Sequence, residues 1–185
     1  MFSRLFRRDD KAERMASALY GMIVTRARTP ALYAALGVPD TIRGRFEMVV
    51  LHTIMVVDPL SAGDGSDREA GQQVFDLFCA DMDRSLRELG IGDLSLPKRM
   101  KQMAESYYGR AAAYGPALAT GDAAALARAI ARNVADEGAR PAVDALAAYA
   151  VAAARAIAGQ GAAALAAEPP PFPDPAAFAD SARAS

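Results

Sequence analysis

Tryptophan is absent from this chain of 185 residues, and histidine and cysteine occur once each. A lone cysteine, Cys79, has no partner for an internal disulfide, which fits a reducing cytoplasm. His52 and Cys79 stand 27 positions apart, on segments that read as different helices, so neither a zinc cluster nor a Cys/His dyad has ligand spacing behind it. The bland readings are that His52 is a hydrogen-bonded imidazole in the core or at a pocket edge and that Cys79 is a small buried hydrophobe. No glycine-rich phosphate loop lies between a strand and a helix, so nucleotide binding has no support, and no nucleic-acid partner is expected. The longest apolar run, Met48 to Val57, is interrupted by His52 and Thr53 and is far short of the ~20 residues of a membrane span. Met1 to Asp10 lacks an apolar core of the length a secretory signal needs.

At 52% hydrophobic the chain has enough apolar side chains for a sizeable core, and its length favours one domain. Net charge is -1, yet the first fifty residues hold nine Lys/Arg against five Asp/Glu, a basic excess suited to an anionic surface. Helix signals dominate. Asp10 with Glu13 three residues on marks a cap, followed by Met15, Leu19, Met22 and Ile23 at helical spacing up to about Arg28. Thr29-Pro30 opens a short helix that Gly37 stops. Thr41 to Val57, with Ile42, Phe46, Val49, Val50, Met55 and Val56, is apolar on nearly every side and reads as the central helix, ended by Pro59 and the Gly63–Gly65 turn.

Ser66 with Glu69 forms a capping box, and Phe75, Phe78, Met82, Leu86 and Leu89 make the apolar stripe of the next helix, with Arg84 and Glu88 paired on its wet side. Gly90 stops it. Ser95 and Pro97 open another helix, lined by Met100, Met103, Tyr107 and Tyr114, which Gly115-Pro116 kinks or ends. Asp122 caps a helix to about Val134, and Pro141 opens the last long one, to Ala158, packing through Val143, Leu146, Tyr149 and Ile157. Alanine richness beyond Ala111 lets helices approach closely. The expected fold is all-α, a compact single-domain bundle of about six or seven helices. Its divisions are a basic N-terminal segment 1–9, a helical domain 10–167 and a disordered Pro-rich tail 168–185, the last because EPPPFPDP lacks periodicity.

Charge placement raises two questions. Asp81 and Asp83 are two apart on a helix and so point to divergent faces, which reads as a solvated face and not a metal pair. Lys98, Arg99 and Lys101 crowd a first helical turn, where the macrodipole makes a cation cost ~0.3 to 1 kcal/mol. Either they pair with Glu105 and Asp93 or they await an anionic partner. In residues 1–8, Phe2, Leu5 and Phe6 alternate with Arg4, Arg7 and Arg8 in the pattern of a short interfacial helix that would touch a membrane weakly, with a disordered basic start as the plain alternative.

Three stretches, VPDTIRGRFEMVVLHTIMV (Val38 to Val56), FCADMDRSLRELGIGDLSLPKRMKQMAESYYGRAAAY (Phe78 to Tyr114) and ARAIARNV (Ala127 to Val134), resemble the ubiquinol-cytochrome c chaperone family in its alphaproteobacterial form. The resemblance covers about Ala16 to Asn133. It implies a non-catalytic assembly factor for the cytochrome bc1 complex that holds cytochrome b or another bc1 subunit, acts with a small helical partner protein, and carries no cofactor. The implied location is cytoplasmic and peripheral, on the cytoplasmic face of the inner membrane. On this resemblance partner binding falls to Asp81, Asp83, Arg87 and Glu88 on one helix and to Lys98, Arg99, Lys101, Tyr107, Tyr108 and Arg110 on the next. His52, Met100 and Met103 are candidate pocket residues. The rival expectation is a helical module for a small molecule or lipid, with His52 and the tyrosines around an internal cavity; an enclosed cavity favours that rival, an open groove the chaperone.

Overall fold

In the computed structural model, residues 2–134, 142–168 and 172–179 are described, with side chains from Ala12 onward. The helices are α1 (Phe2–Ala27), α2 (Pro30–Ala34), α3 (Ile42–Ala62), α4 (Gly65–Glu88), α5 (Leu96–Thr120), α6 (Ala123–Val134), α7 (Val143–Ile157) and α8 (Ala162–Ala167), followed by a 3-10 turn at Pro175–Phe178. Six are long and two short, and no strand occurs among the described residues.

Helix α3 is the axis of the molecule. Every residue from Glu47 to Val57 is buried, because α1, α4, α5, α6 and α7 all pack on it. A helix that is apolar on nearly every side belongs at the centre of a bundle, covered by its neighbours. Its start is capped by Thr41, whose hydroxyl accepts from Gly44 N at 3.1 Å. Ile42, expected in the core, is 69% exposed, since the first turn projects beyond the packed stretch. Nor does the helix stop at Pro59: it runs on to Ala62. Proline removes one backbone donor, but the ring lies at the exposed edge and Leu60, 2% exposed, draws the last turn onto the core.

Other boundaries shift for equally local reasons. α1 begins at Phe2 and passes straight through Asp10, so the helix does not start there. α4 is capped by Asp64 and not Ser66: one Asp64 oxygen accepts from Ser66 N at 2.9 Å and Asp67 N at 3.0 Å. The carboxylate of Asp67 reaches instead across the chain to Ala162 N at 2.8 Å, fastening the start of α8 to α4. α5 continues through Gly115-Pro116 and stops only at Gly121, whose left-handed backbone (φ 73°) closes the terminus. Asp122 caps α6 as expected, accepting from Ala125 N at 2.8 Å. Pro141 lies outside the described residues.

α6 and α7 meet through alanines, with Ala127, Ala129, Ala145, Ala147, Ala150 and Ala153 all buried. Within the segment expected to be a tail, residues 172–179 are docked. Phe172 is 9% exposed beneath the Arg26 guanidinium, 5.2 Å from the ring centroid, and Phe178 meets Tyr149 edge-on. Two aromatic rings bury well without any periodicity to announce them.

Candidate functional site

The N-terminal half of α3, the C-terminal half of α4 and the first turns of α5 converge on an open groove of about 800 Å³. Phe46, Val49, Met82, Leu86 and Met103 form its apolar lining. Ile42 and Leu89, 69% and 55% exposed, add unburied apolar surface along it. Four arginines, Arg28, Arg43, Arg45 and Arg99, stand around these residues against the carboxylates of Asp81 and Glu88. Arg45 is anchored by Asp40, with Nε donating to Oδ1 at 2.6 Å. Adjacent exposed apolar residues rimmed by charges of both signs, arginines in the majority, have a composition suited to a docking surface.

The residues expected to bind a partner separate into distinct places. Asp81, Glu88, Arg99 and Met103 line the groove. Asp81 is no solvated bystander: its carboxylate accepts from Tyr20 Oη at 2.8 Å and pairs with Arg84, which joins α4 to α1 and leaves Glu88 without the Arg84 hydrogen bond anticipated for it. Burial, with that hydrogen bond second, raises the Tyr20 phenol well above its ordinary range. Asp83 and Asp93 both hold Arg87, at 2.8 and 2.6 Å, a clamp across the link between α4 and α5. Hydrogen bonds from Arg87 come first among the causes that raise its affinity for its proton.

Lys98 and Lys101 are exposed at the start of α5; Lys101 comes within 3.8 Å of Glu105, while Asp93 is taken by Arg87. Tyr107 is 3% exposed and packs on Phe75 and Phe78, with ring centroids 4.8 and 5.5 Å away. Tyr108 beside it is 60% exposed. Arg110 turns inward: Nε donates to Glu47 Oε2 at 2.5 Å, a second nitrogen pairs with Oε1, and Nη1 donates to Ser106 O at 3.0 Å. Its guanidinium is therefore spent on the interior of the bundle.

His52 lies in the core at 1% exposure and does not line the groove. Nδ1 stands 2.7 Å from Met48 O and Nε2 2.8 Å from Tyr149 Oη. A carbonyl only accepts, so Nδ1 carries the proton and Nε2 accepts from the tyrosine hydroxyl. Burial, the largest cause, lowers its pKa to about 4, which keeps the ring neutral and unsuited to acid–base work at neutral pH. Met100 is half-buried against the core and Cys79 only half-buried, less than expected. No group of His, Cys, Asp and Glu among the described residues is arranged to hold a metal. None of the described helices is long and apolar enough to cross a membrane.

Sequence reasoning missed the contribution of α1 and α3 to the groove, from Arg28, Ile42, Arg43, Arg45 and Phe46. The signal was the basic excess of the first fifty residues. It also missed Glu47, a carboxylate beside the apolar run of α3, which called for a buried cation.

The family model described as ubiquinol-cytochrome C chaperone matches residues 34–172, a span that takes in α3 through α7. The chain belongs to the ubiquinol-cytochrome c chaperone family. It is similar to the crystal structure of the Cbp3 homolog from Brucella abortus, at 40% identity over 95% of this chain and 98% of that one, with a TM-score of 0.82. No curated protein matches it. The helices forming most of the groove lie inside the span that defines this chaperone family.

Proposed function

We propose that this chain is a non-catalytic assembly chaperone of the cytochrome bc1 complex that holds an apolar segment of cytochrome b, or of another subunit of that complex, in the α3–α4–α5 groove. The observation that carries the reading is the form of the site: an open apolar groove with arginines at its edge, which suits an extended or helical protein segment better than a small ligand. Met82 and Met103 give the lining side chains that adapt to varied apolar surfaces. The arginines suit a client whose apolar stretch is followed by carboxylates, and Lys98 and Lys101 extend the same positive field along the start of α5. A small helical partner protein and a peripheral position on the cytoplasmic face of the inner membrane belong to the same reading.

The test is capture of cytochrome b from membranes by the purified chain. Leu89→Asp, which places a charge on exposed apolar surface, should lower capture about tenfold or more while leaving the thermal midpoint unchanged. Replacing Lys98, Arg99 and Lys101 together by Gln should weaken capture, make it less sensitive to salt, and leave stability equal or slightly higher. Undiminished capture by Leu89→Asp would remove the groove from the mechanism, and early unfolding of the triple variant would show those cations to be structural.

A further inference from the structure

A second site lies at the other end of the α3–α4–α5 assembly. Here Asp58 on α3, Phe75 on α4 and Tyr107 and Tyr108 on α5 line a cavity of about 170 Å³. The three rings form a mutually tilted set: Phe75 stands 4.8 Å from Tyr107 and 5.7 Å from Tyr108, and the two tyrosines meet edge-on at 5.6 Å. Two polar groups there are left over by the fold. The Asp58 carboxylate makes no hydrogen bond or ion pair with any described residue, and neither Lys nor Arg lines this cavity; Arg155 stands in a neighbouring cavity of about 330 Å³ that Asp58 also borders, without pairing with it. The Tyr107 hydroxyl is fully enclosed, on a residue 3% exposed, and has no hydrogen-bond partner among the described residues. Among the described residues, every other carboxylate that the fold brings inward is used: Asp81 by Tyr20 and Arg84, Asp83 by Arg87, Asp67 by Ala162, Glu47 by Arg110.

We infer that Asp58, Phe75, Tyr107 and Tyr108 form a receptor site for a primary alkylammonium group of the aminoethyl kind. A half-buried, unpaired carboxylate calls for a cation, and electron-rich ring faces favour a weakly hydrated organic one. A divalent metal would need several more oxygen or nitrogen ligands than one carboxylate supplies. A quaternary ammonium would leave the Tyr107 oxygen without a donor, whereas a primary ammonium brings three N–H groups, enough for Asp58 and for the phenol. The size of the cavity limits the guest to the ammonium and a few carbons. That chemistry occurs both in free aminoethyl compounds and in the headgroup of an ethanolamine phospholipid. Tyr108, largely exposed, stands where the rest of a tethered guest would leave.

Burial alone lifts the Asp58 carboxyl to about 6. This site does not depend on the groove reading, since the two share no residue.

Titration of the full chain with ethanolamine, followed by amide and methyl NMR shifts at pH 7.5, is the test. Saturable shifts at residues around Asp58, with a dissociation constant on the order of millimolar, are expected for so small a guest. Asp58→Asn should weaken binding about tenfold or more, and Tyr107→Phe several-fold, both with wild-type thermal midpoints or higher. Binding of tetramethylammonium as tight as that of ethanolamine would overturn the assignment to a primary amine. Absence of saturable ethanolamine shifts, or equal binding by Asp58→Asn, would overturn the site itself. Vesicle flotation distinguishes the sources: retention on phosphatidylethanolamine over phosphatidylcholine vesicles, lost in Asp58→Asn, assigns the headgroup, and ethanolamine shifts without that retention assign a soluble amine.

Discussion

The α3–α4–α5 side of the molecule and the α6–α7 side are built on opposite plans. On the first, large side chains and charged groups meet: Phe75, Phe78 and Tyr107 stack, Glu47 is buried on Arg110, and apolar residues remain exposed beside arginines. On the second, alanines bring two helices together and seal them. Large residues leave lips and orphaned polar groups where they do not mesh, and small residues let two helices approach closely. The open groove and the exposed apolar residues therefore collect on the irregular side, while the alanine side is joined to α3 through the His52–Tyr149 hydrogen bond.

The largest test of this contrast lies at the charged heart of the irregular side. Glu47→Ala strands the Arg110 guanidinium among apolar neighbours and should cost about 3 to 5 kcal/mol in urea unfolding, whereas Glu47→Met with Arg110→Met should recover most of that loss. Recovery is the informative half, because it distinguishes a buried pair that merely needs balance from one that positions the groove.

Next comes the joint between the two sides. The fold holds His52 neutral, with a pKa near 4 against 6.5 for a free imidazole, so the ring favours the folded state above pH 6.5. Protonation of the unfolded chain begins to drain that preference as pH falls through 6.5, and about 3 kcal/mol is gone once pH drops below the folded value. Measured by denaturant unfolding, the stability gap between the parent and His52→Gln should thus shrink between pH 7 and pH 4. A gap that stays constant would mean the imidazole is not held neutral.

The smallest effect separates the two sides most directly. Ala150→Leu, on a fully buried alanine of α7, should overpack the joint and cost about 1 to 3 kcal/mol without touching client capture. Leu89→Asp should do the reverse, with thermal unfolding within about 0.5 kcal/mol of the parent. If both variants lose stability alike, the two sides are not energetically distinct.

Much of the fold was legible residue by residue. Asp122 caps α6, Gly37 and Gly90 take left-handed conformations where helices were expected to stop, and the apolar run of α3 predicted a helix surrounded by others. These signals are local: a carboxylate two or three residues from free amides, a missing Cβ, a periodicity. Pro59 and Pro116 misled because their cost is also local, and tertiary burial on either side outweighs it. The candidate site was read only in part. Asp81, Glu88, Arg99 and Met103 do come together, but Arg110 left the surface for Glu47, 63 positions away, and Arg28, Arg43 and Arg45 joined from helices that had suggested only a basic end.

By itself, then, the sequence determined an all-helical chain with few chemically reactive residues and a long central helix, since caps, periodicity and composition act over a few residues at a time. Only the tertiary structure decided which charges are spent inside and which stay on the surface. Asp81 and Arg110 look as exposed in a helical pattern as Lys98 does, and what separates them is whether a phenol on α1 or a carboxylate on α3 lies within hydrogen-bonding reach once the helices have packed.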